Sequence, residues 1–164
     1  MVRWRPAERV WFGLLLAVLL ILPAAAQTGL PIPRFVSLNG GQVNVRTGPG
    51  FSYPLVWIYQ RRGLPVEIVQ EFDVWRKVRD IDGSEGWVHS SLLSGRRTGL
   101  VVGARRPLRV NPERSSGAFA ILDPGIVGRL DSCAGDWCRM TVDRYSGWLT
   151  RDELWGVYPN ETFD

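Results

Sequence analysis

The sequence predicts an all-β protein: two tandem small barrels behind a cleaved N-terminal leader helix. Three observations lead there. One pattern of residues recurs at an offset of about 62 positions. Each copy consists of short runs rich in Val, Ile and aromatics, broken at close intervals by Gly, Pro, Asn, Asp and Ser. No segment after the leader holds a helical period for three turns.

The leader comes first. Met1 to Arg9 carries Arg3, Arg5 and Arg9 against Glu8, and an apolar run of 13 residues follows from Val10 to Leu22. Pro23-Ala24-Ala25-Ala26-Gln27 then supplies small residues for a cut. A basic head, an apolar middle and an Ala-x-Ala site make a secretory signal over 1–26, cleaved after Ala26. A spanning helix needs about 20 apolar residues, so no stable membrane span is expected after cleavage. An uncleaved anchor is the alternative reading. The expected product starts at Gln27, has 138 residues, and is periplasmic or secreted.

Charge narrows the partners. The whole chain has 20 basic and 16 acidic residues; removing the leader leaves 17 and 15, a net charge of +2. Arginines occur in pairs (Arg61-Arg62, Arg96-Arg97, Arg105-Arg106) rather than on one clustered basic face, so nucleic acid is not an expected partner. His89 is the sole histidine, and two cysteines cannot complete a metal site, so neither metal nor cofactor is expected.

The repeat sets the boundaries. Trp75 in Asp73-Val74-Trp75-Arg76-Lys77-Val78 matches Trp137 in Gly135-Asp136-Trp137-Cys138-Arg139-Met140. Gly86-Trp87-Val88 matches Gly147-Trp148-Leu149, Leu93 matches Leu154, and Gly63-Leu64 matches Gly125-Ile126. Asn44-Val45-Arg46-Thr47-Gly48-Pro49 has a weaker counterpart in Pro107-Leu108-Arg109-Val110-Asn111-Pro112. Domains over 35–97 and 100–158 follow, joined at Thr98-Gly99, with 159–164 as a tail. Arg46-Thr47-Gly48-Pro49-Gly50 suits neither helix nor central strand, and Asp82-Gly83 marks a hairpin turn. About five or six short strands per copy must close into a barrel to avoid open edges.

Asn44-Val45-Arg46-Thr47-Gly48-Pro49-Gly50, then Tyr53-Pro54, Gly63, Trp75-Arg76-Lys77-Val78 and Gly86-Trp87-Val88, resemble a bacterial Src-homology-3 (SH3b-type) domain. The second copy is similar from Gly125 onward but carries Asn111-Pro112-Glu113 in place of the Gly-Pro-Gly turn. Two tandem SH3-like β-barrels after a signal resemble a group of bacterial periplasmic proteins. The resemblance implies binding of peptidoglycan peptides or of an envelope protein, often beside a hydrolase; here the repeats occupy the chain after the leader.

Candidate site residues are aromatic: Tyr53, Trp57, Tyr59, Trp75 and Trp87. Trp75 and Trp87 recur in the second copy as Trp137 and Trp148, so they serve either the shared core or a groove. In Leu55-Val56-Trp57-Ile58-Tyr59, alternation puts Val56 and Ile58 on one face and Leu55, Trp57 and Tyr59 on the other. Val56 and Ile58 align with apolar Phe119 and Ile121, which assigns them to the core and turns Trp57 outward with Tyr53 and Phe51. That patch suits a ligand groove or packing on the second domain. Cys133 and Cys138 flank Ala134-Gly135-Asp136-Trp137, a hairpin that brings them opposite each other for a disulfide. No catalytic motif is present, and a non-catalytic binding module is the expected function, with a structural adaptor as the alternative.

Overall fold

Turn chemistry sets the layout of a computed structural model that describes residues 28–164; the leader expected over 1–26 lies outside the described residues. The first barrel contains β1 (Arg34–Leu38), β2 (Val43–Arg46), β3 (Leu55–Tyr59), β4 (Pro65–Phe72), β5 (Trp75–Arg79), β6 (Glu85–His89) and β7 (Leu93–Ser94). The second contains β8 (Thr98–Val101), β9 (Arg106–Arg109), β10 (Ala118–Leu122), β11 (Val127–Ala134), β12 (Trp137–Val142), β13 (Tyr145–Thr150) and β14 (Leu154–Trp155). A three-residue 3-10 turn precedes the last strand of each, Ser90–Leu92 and Arg151–Glu153. The sheets have the same antiparallel order, β3-β2-β6-β5-β4-β1-β7 and β10-β9-β13-β12-β11-β8-β14. Thr98 and Gly99, the expected join, already pair with β11 inside the second sheet.

Local residues explain these elements. Two-residue turns close the long hairpins, Asp73-Val74 between β4 and β5 and Gly135-Asp136 between β11 and β12, with positive φ at Asp73 (49°) and Gly135 (54°). Gly83 takes φ +81° in the β5–β6 loop, where the Asp80 side chain accepts the backbone N–H of Asp82 and Ser84. The paired Gly-Trp motifs answer a close approach. A Cβ at Gly86 would stand 2.3 Å from Val45 Cγ1, and one at Gly147 would stand 2.6 Å from the Arg109 carbonyl. Strands β4 and β11 each shift register, between Ile68 and Gln70 and between Leu130 and Ser132, which bends them around the barrel.

Two separate cores result. The first gathers Val36, Leu38, Val43, Val45, Val66, Ile68, Val78 and Val88. The second gathers Val101, Leu108, Leu122, Leu130, Met140, Leu149 and Leu154 with both cysteines.

One facing expectation is corrected. Val56 and Ile58 are 49% and 40% exposed, and Phe119 and Ile121 are 51% and 60% exposed, so these pairs face outward. Trp57 and Tyr59 instead pack against the first core. The register with β2 sets the sense: buried Val43 and Val45 pair with Tyr59 and Trp57 and bring them to the core side. Beyond them a bulge pairs Arg46 with Leu55, leaving Val56 unpaired, as the equivalent shift in β10 leaves out Phe119. The Trp57 ring also fills the room beside Gly86, where a Cβ would stand 3.3 Å away.

The same register position ties down both ends of the described chain. In the first barrel Glu71 faces Arg76 across β4 and β5, with Arg76 Nε 3.2 Å from its carboxylate. Glu71 also accepts the Thr28 backbone N–H (2.9 Å) and hydroxyl (2.8 Å) and pairs with Arg34, which anchors the segment entering β1. In the second barrel Cys133 faces Cys138, and they form the expected disulfide. The Cys133 backbone exchanges hydrogen bonds with Phe163 (2.9 and 3.2 Å), so 159–164 is a bound strap. β14, Tyr158 just before the strap, and Thr98 also reach the first barrel. The Phe35 ring packs edge-on to Trp155 (5.0 Å) and against Tyr158 (4.7 Å). The Trp155 Nε1–H donates to the Pro65 carbonyl (3.2 Å), the Tyr158 hydroxyl to Glu67 (2.8 Å), and the Thr98 hydroxyl to the Gly63 carbonyl (2.7 Å).

Two outcomes test these ties. Replacing both cysteines by serine, a six-residue loop, should lower unfolding free energy by about 2 kcal/mol in a denaturant titration. Burial alone raises the Glu71 carboxyl, but the Thr28 N–H, Arg34 and the Thr28 hydroxyl outweigh it and lower the group from 4.5 to about 2. A depressed carboxyl contributes stability that is complete above pH about 4.5 and fades as pH falls toward 2. Thermal melts should show that acid loss in the natural chain, and Glu71→Gln should lack that component; identical pH profiles would refute the assignment.

Candidate functional site

The loop from Thr47 to Pro54 leaves β2 through Gly48-Pro49-Gly50 and returns as β3. Its glycine is required by a ring. Gly48 is buried under Tyr53, and a Cβ there would stand 2.3 Å from that ring. The loop is also held from below by Arg46, whose Nη1 donates to the carbonyls of Phe51 (3.0 Å) and Tyr53 (2.7 Å). These contacts place the Phe51 side chain at the surface, 72% exposed.

Phe51 is nevertheless held in place. Its ring stacks on His89 (centroids 5.6 Å apart, planes 23° apart) and meets Trp75 edge-on at 5.0 Å. Trp75 and His89 meet edge-on at 5.4 Å, which closes a three-ring cluster. The Arg46 guanidinium lies 5.7 Å from the Phe51 ring centre. His89 is fixed by a local cap: its Nδ1 accepts the Ser91 backbone N–H (3.3 Å) and lies 2.7 Å from the Ser91 hydroxyl. That nitrogen already serves the backbone, while the ring itself is held by Phe51 and Trp75. The His89–Ser91 pair caps the 3-10 turn Ser90–Leu92.

The five aromatics expected at the site divide into two groups. Tyr53 (45% exposed) and the buried Trp75 belong to this surface, and Trp87, also buried, pairs with Arg46 across β2 and β6. Trp57 and Tyr59 form their own edge-on pair (6.0 Å), with the Tyr59 hydroxyl donating to Asp80 at 3.0 Å. Burial pushes the Tyr59 phenol above its ordinary range; the Trp57 indole opposes this and the Asp80 charge adds to it. No ring pair among the described residues joins the two groups. Sequence reasoning under-read Arg46, Phe51 and His89. Phe51 sits at the tip of a glycine-rich loop, a usable signal, whereas the His89 stack joins residues 38 apart in sequence and left none.

The second barrel lacks the cluster. Its corresponding loop, residues 111–117, carries no aromatic residue, and Thr150 takes the place of His89. Trp137 is instead covered by Arg109, 5.3 Å from its ring centre. Among the described residues no group of three or more His, Cys, Asp or Glu is placed to hold a metal ion.

Comparison with known proteins gives a family and a distant likeness. Residues 39–95 and 102–156 each match the bacterial SH3 domain. No curated protein matches the chain. Among solved structures, NlpC1 from Trichomonas vaginalis is 14% identical with a TM-score of 0.35, over 79% of this chain and 48% of its own. NlpC2 from the same organism is 15% identical with a TM-score of 0.34, over 75% and 48%. An NlpC/P60 family protein from Bacillus cereus is 14% identical with a TM-score of 0.34, over 73% and 55%. The chain spans about half the length of these structures.

Substitution separates the roles within the loop. Phe51→Ala removes an exposed ring and should change unfolding free energy by no more than about 0.5 kcal/mol. Gly48→Ala forces a methyl into Tyr53 and should cost about 1–3 kcal/mol. Paired denaturant titrations check both; a Phe51→Ala loss as large as that of Gly48→Ala would make Phe51 part of the fold's support.

Proposed function

We propose, for a chain that belongs to the bacterial SH3 domain family in both of its barrels, a non-catalytic binding role at the cell envelope. It recognises peptidoglycan peptides or an envelope protein, and the first barrel is the binding barrel. The observation that carries this reading is Phe51, an aromatic 72% exposed yet clamped by His89, Trp75 and the Arg46-bound loop. An exposed ring held in one position loses little freedom when a partner covers it, which is what makes an aromatic an efficient anchor. The loop beside it offers the partner an apolar contact and a cation together. The leader expected over 1–26 supports an envelope location, periplasmic or secreted.

A structural adaptor is the second reading. Leu55, Val56 and Ile58 are 48%, 49% and 40% exposed on β3, a strand at the edge of its sheet. Such an edge accepts a partner strand or an apolar face.

Co-sedimentation with purified peptidoglycan tests the proposal. The natural chain should sediment, Phe51→Ala should lose at least about tenfold in apparent affinity, and Phe119→Ser on the second barrel should behave like the natural chain. If Phe51→Ala sediments equally, the wall is a target through another surface. If nothing sediments, the wall reading fails, and an envelope protein captured through Phe51 or β3 takes its place.

A further inference from the structure

The two barrels carry an arginine at one equivalent position but balance its charge differently. Arg46 ends β2 and pairs across the sheet with Trp87; Arg109 ends β9 and pairs with Trp148. Arg109 is buried and grips the Glu153 carboxylate with two hydrogen bonds, Nη1 to Oε2 at 2.9 Å and Nη2 to Oε1 at 3.1 Å. Glu153 also accepts the Thr150 backbone N–H at 2.9 Å, so the carboxylate is built into the second barrel. It is the third residue of the 3-10 turn Arg151–Glu153. The third residue of the matching turn in the first barrel is Leu92.

Arg46 therefore has no carboxylate from its own barrel. Among the described residues it forms no ion pair, and its hydrogen bonds run from Nη1 to two neutral carbonyls, Phe51 and Tyr53. Carbonyls orient a guanidinium without neutralising it. Nε and Nη2 have no acceptor among the described residues, and that edge is the fork that matches a carboxylate with two parallel bonds. Phe51 stands beside it, the ring centre 5.7 Å from the guanidinium carbon.

We propose that Arg46 receives a carboxylate of the bound peptide, with Phe51 covering the apolar group next to it. The ligand supplies to the first barrel the charge that Glu153 supplies internally to the second. The second barrel is a self-satisfied copy that takes no such ligand. This assignment rests on the reading of the first barrel as the binding barrel and names the chemistry it recognises.

The test titrates the full chain with acetyl-Ala-Ala carrying a free C-terminal carboxylate, with its C-terminal amide, and with the amide of acetyl-Ala-Glu. Chemical-shift changes at the Trp75 indole and His89 ring are the readout. The free acid should bind at least about tenfold more tightly than its amide, the loss expected when a charge-assisted bond becomes a neutral one. The glutamyl amide separates a side-chain carboxylate from a terminal one. Leu92→Glu brings a carboxylate to Arg46 from within, as the second barrel does, and should erase the preference for the acid while its thermal melt confirms the fold. Equal binding of acid and amide, or an acid preference that survives in Leu92→Glu, overturns the carboxylate assignment. If neither peptide binds while the chain still sediments with peptidoglycan, the assignment again falls and the binding role stands. A chain that also fails to sediment removes the binding reading itself.

Discussion

The cross-strand pair one step back from the tight turn of each long hairpin, Glu71 with Arg76 and Cys133 with Cys138, is the point on which both barrels depend. Each pair holds the far end of the longest hairpin in its sheet, and each receives a terminal segment. The two solutions differ in physics. A carboxylate that is 4% exposed must have its charge matched, and Glu71 is satisfied only when Arg76, Arg34 and Thr28 are all in place. The first barrel therefore links its hairpin to the order of the incoming segment. A covalent bond asks for no such company, so the second barrel leaves the Cys133 backbone free to pair with Phe163.

Those anchored segments unite the barrels. The strap after β14 returns to its own barrel at Cys133 and touches the neighbour at Glu67 on the way, through Tyr158. Arg97 secures it at Glu161 and at the Gly156 carbonyl, and lies over Phe163. The contact mixes packed rings with hydrogen bonds to groups that are otherwise buried, a combination that fixes orientation as well as proximity. Only three residues, Gly95, Arg96 and Arg97, separate β7 from β8, and the Thr98 hydroxyl donates to the Gly63 carbonyl at once. The barrels thus meet through both a short link and a long strap.

Beyond these hairpin pairs, the two barrels separate in chemistry around the loop after the second strand. Loop 47–54 is shaped by glycines that let Tyr53 fold onto it, and its arginine faces carbonyls; loop 111–117 has no such ring, and its arginine is closed by Glu153. The differences cluster on the loop after the second strand and on the 3-10 turn, while strand order, bulges and the Gly-Trp approach are kept. A scaffold retained and a surface changed is the pattern of a binding function carried on loops.

Much of the fold is legible in the sequence. Short apolar runs, turn residues and the doubled Gly-Trp pattern are local signals, and they specified two all-β barrels, the hairpin at Gly83 and the facing cysteines, because those features depend on residues near one another in the chain. The direction of β3 was not legible. Leu55 to Tyr59 are apolar throughout, so alternation alone could not say which side was inside; the register against buried Val43 and Val45 and the space beside Gly86 decided it. The site followed the same rule. Its Gly-Pro-Gly loop and Trp75 stood out in sequence, but the Phe51–His89 stack, the uncompensated state of Arg46 and the strap onto Glu67 join residues from 38 to 91 positions apart or rest on a comparison between barrels. Periodicity carries short-range constraints; which charges are matched and which rings meet is settled by distant parts of the chain closing on one another in three dimensions.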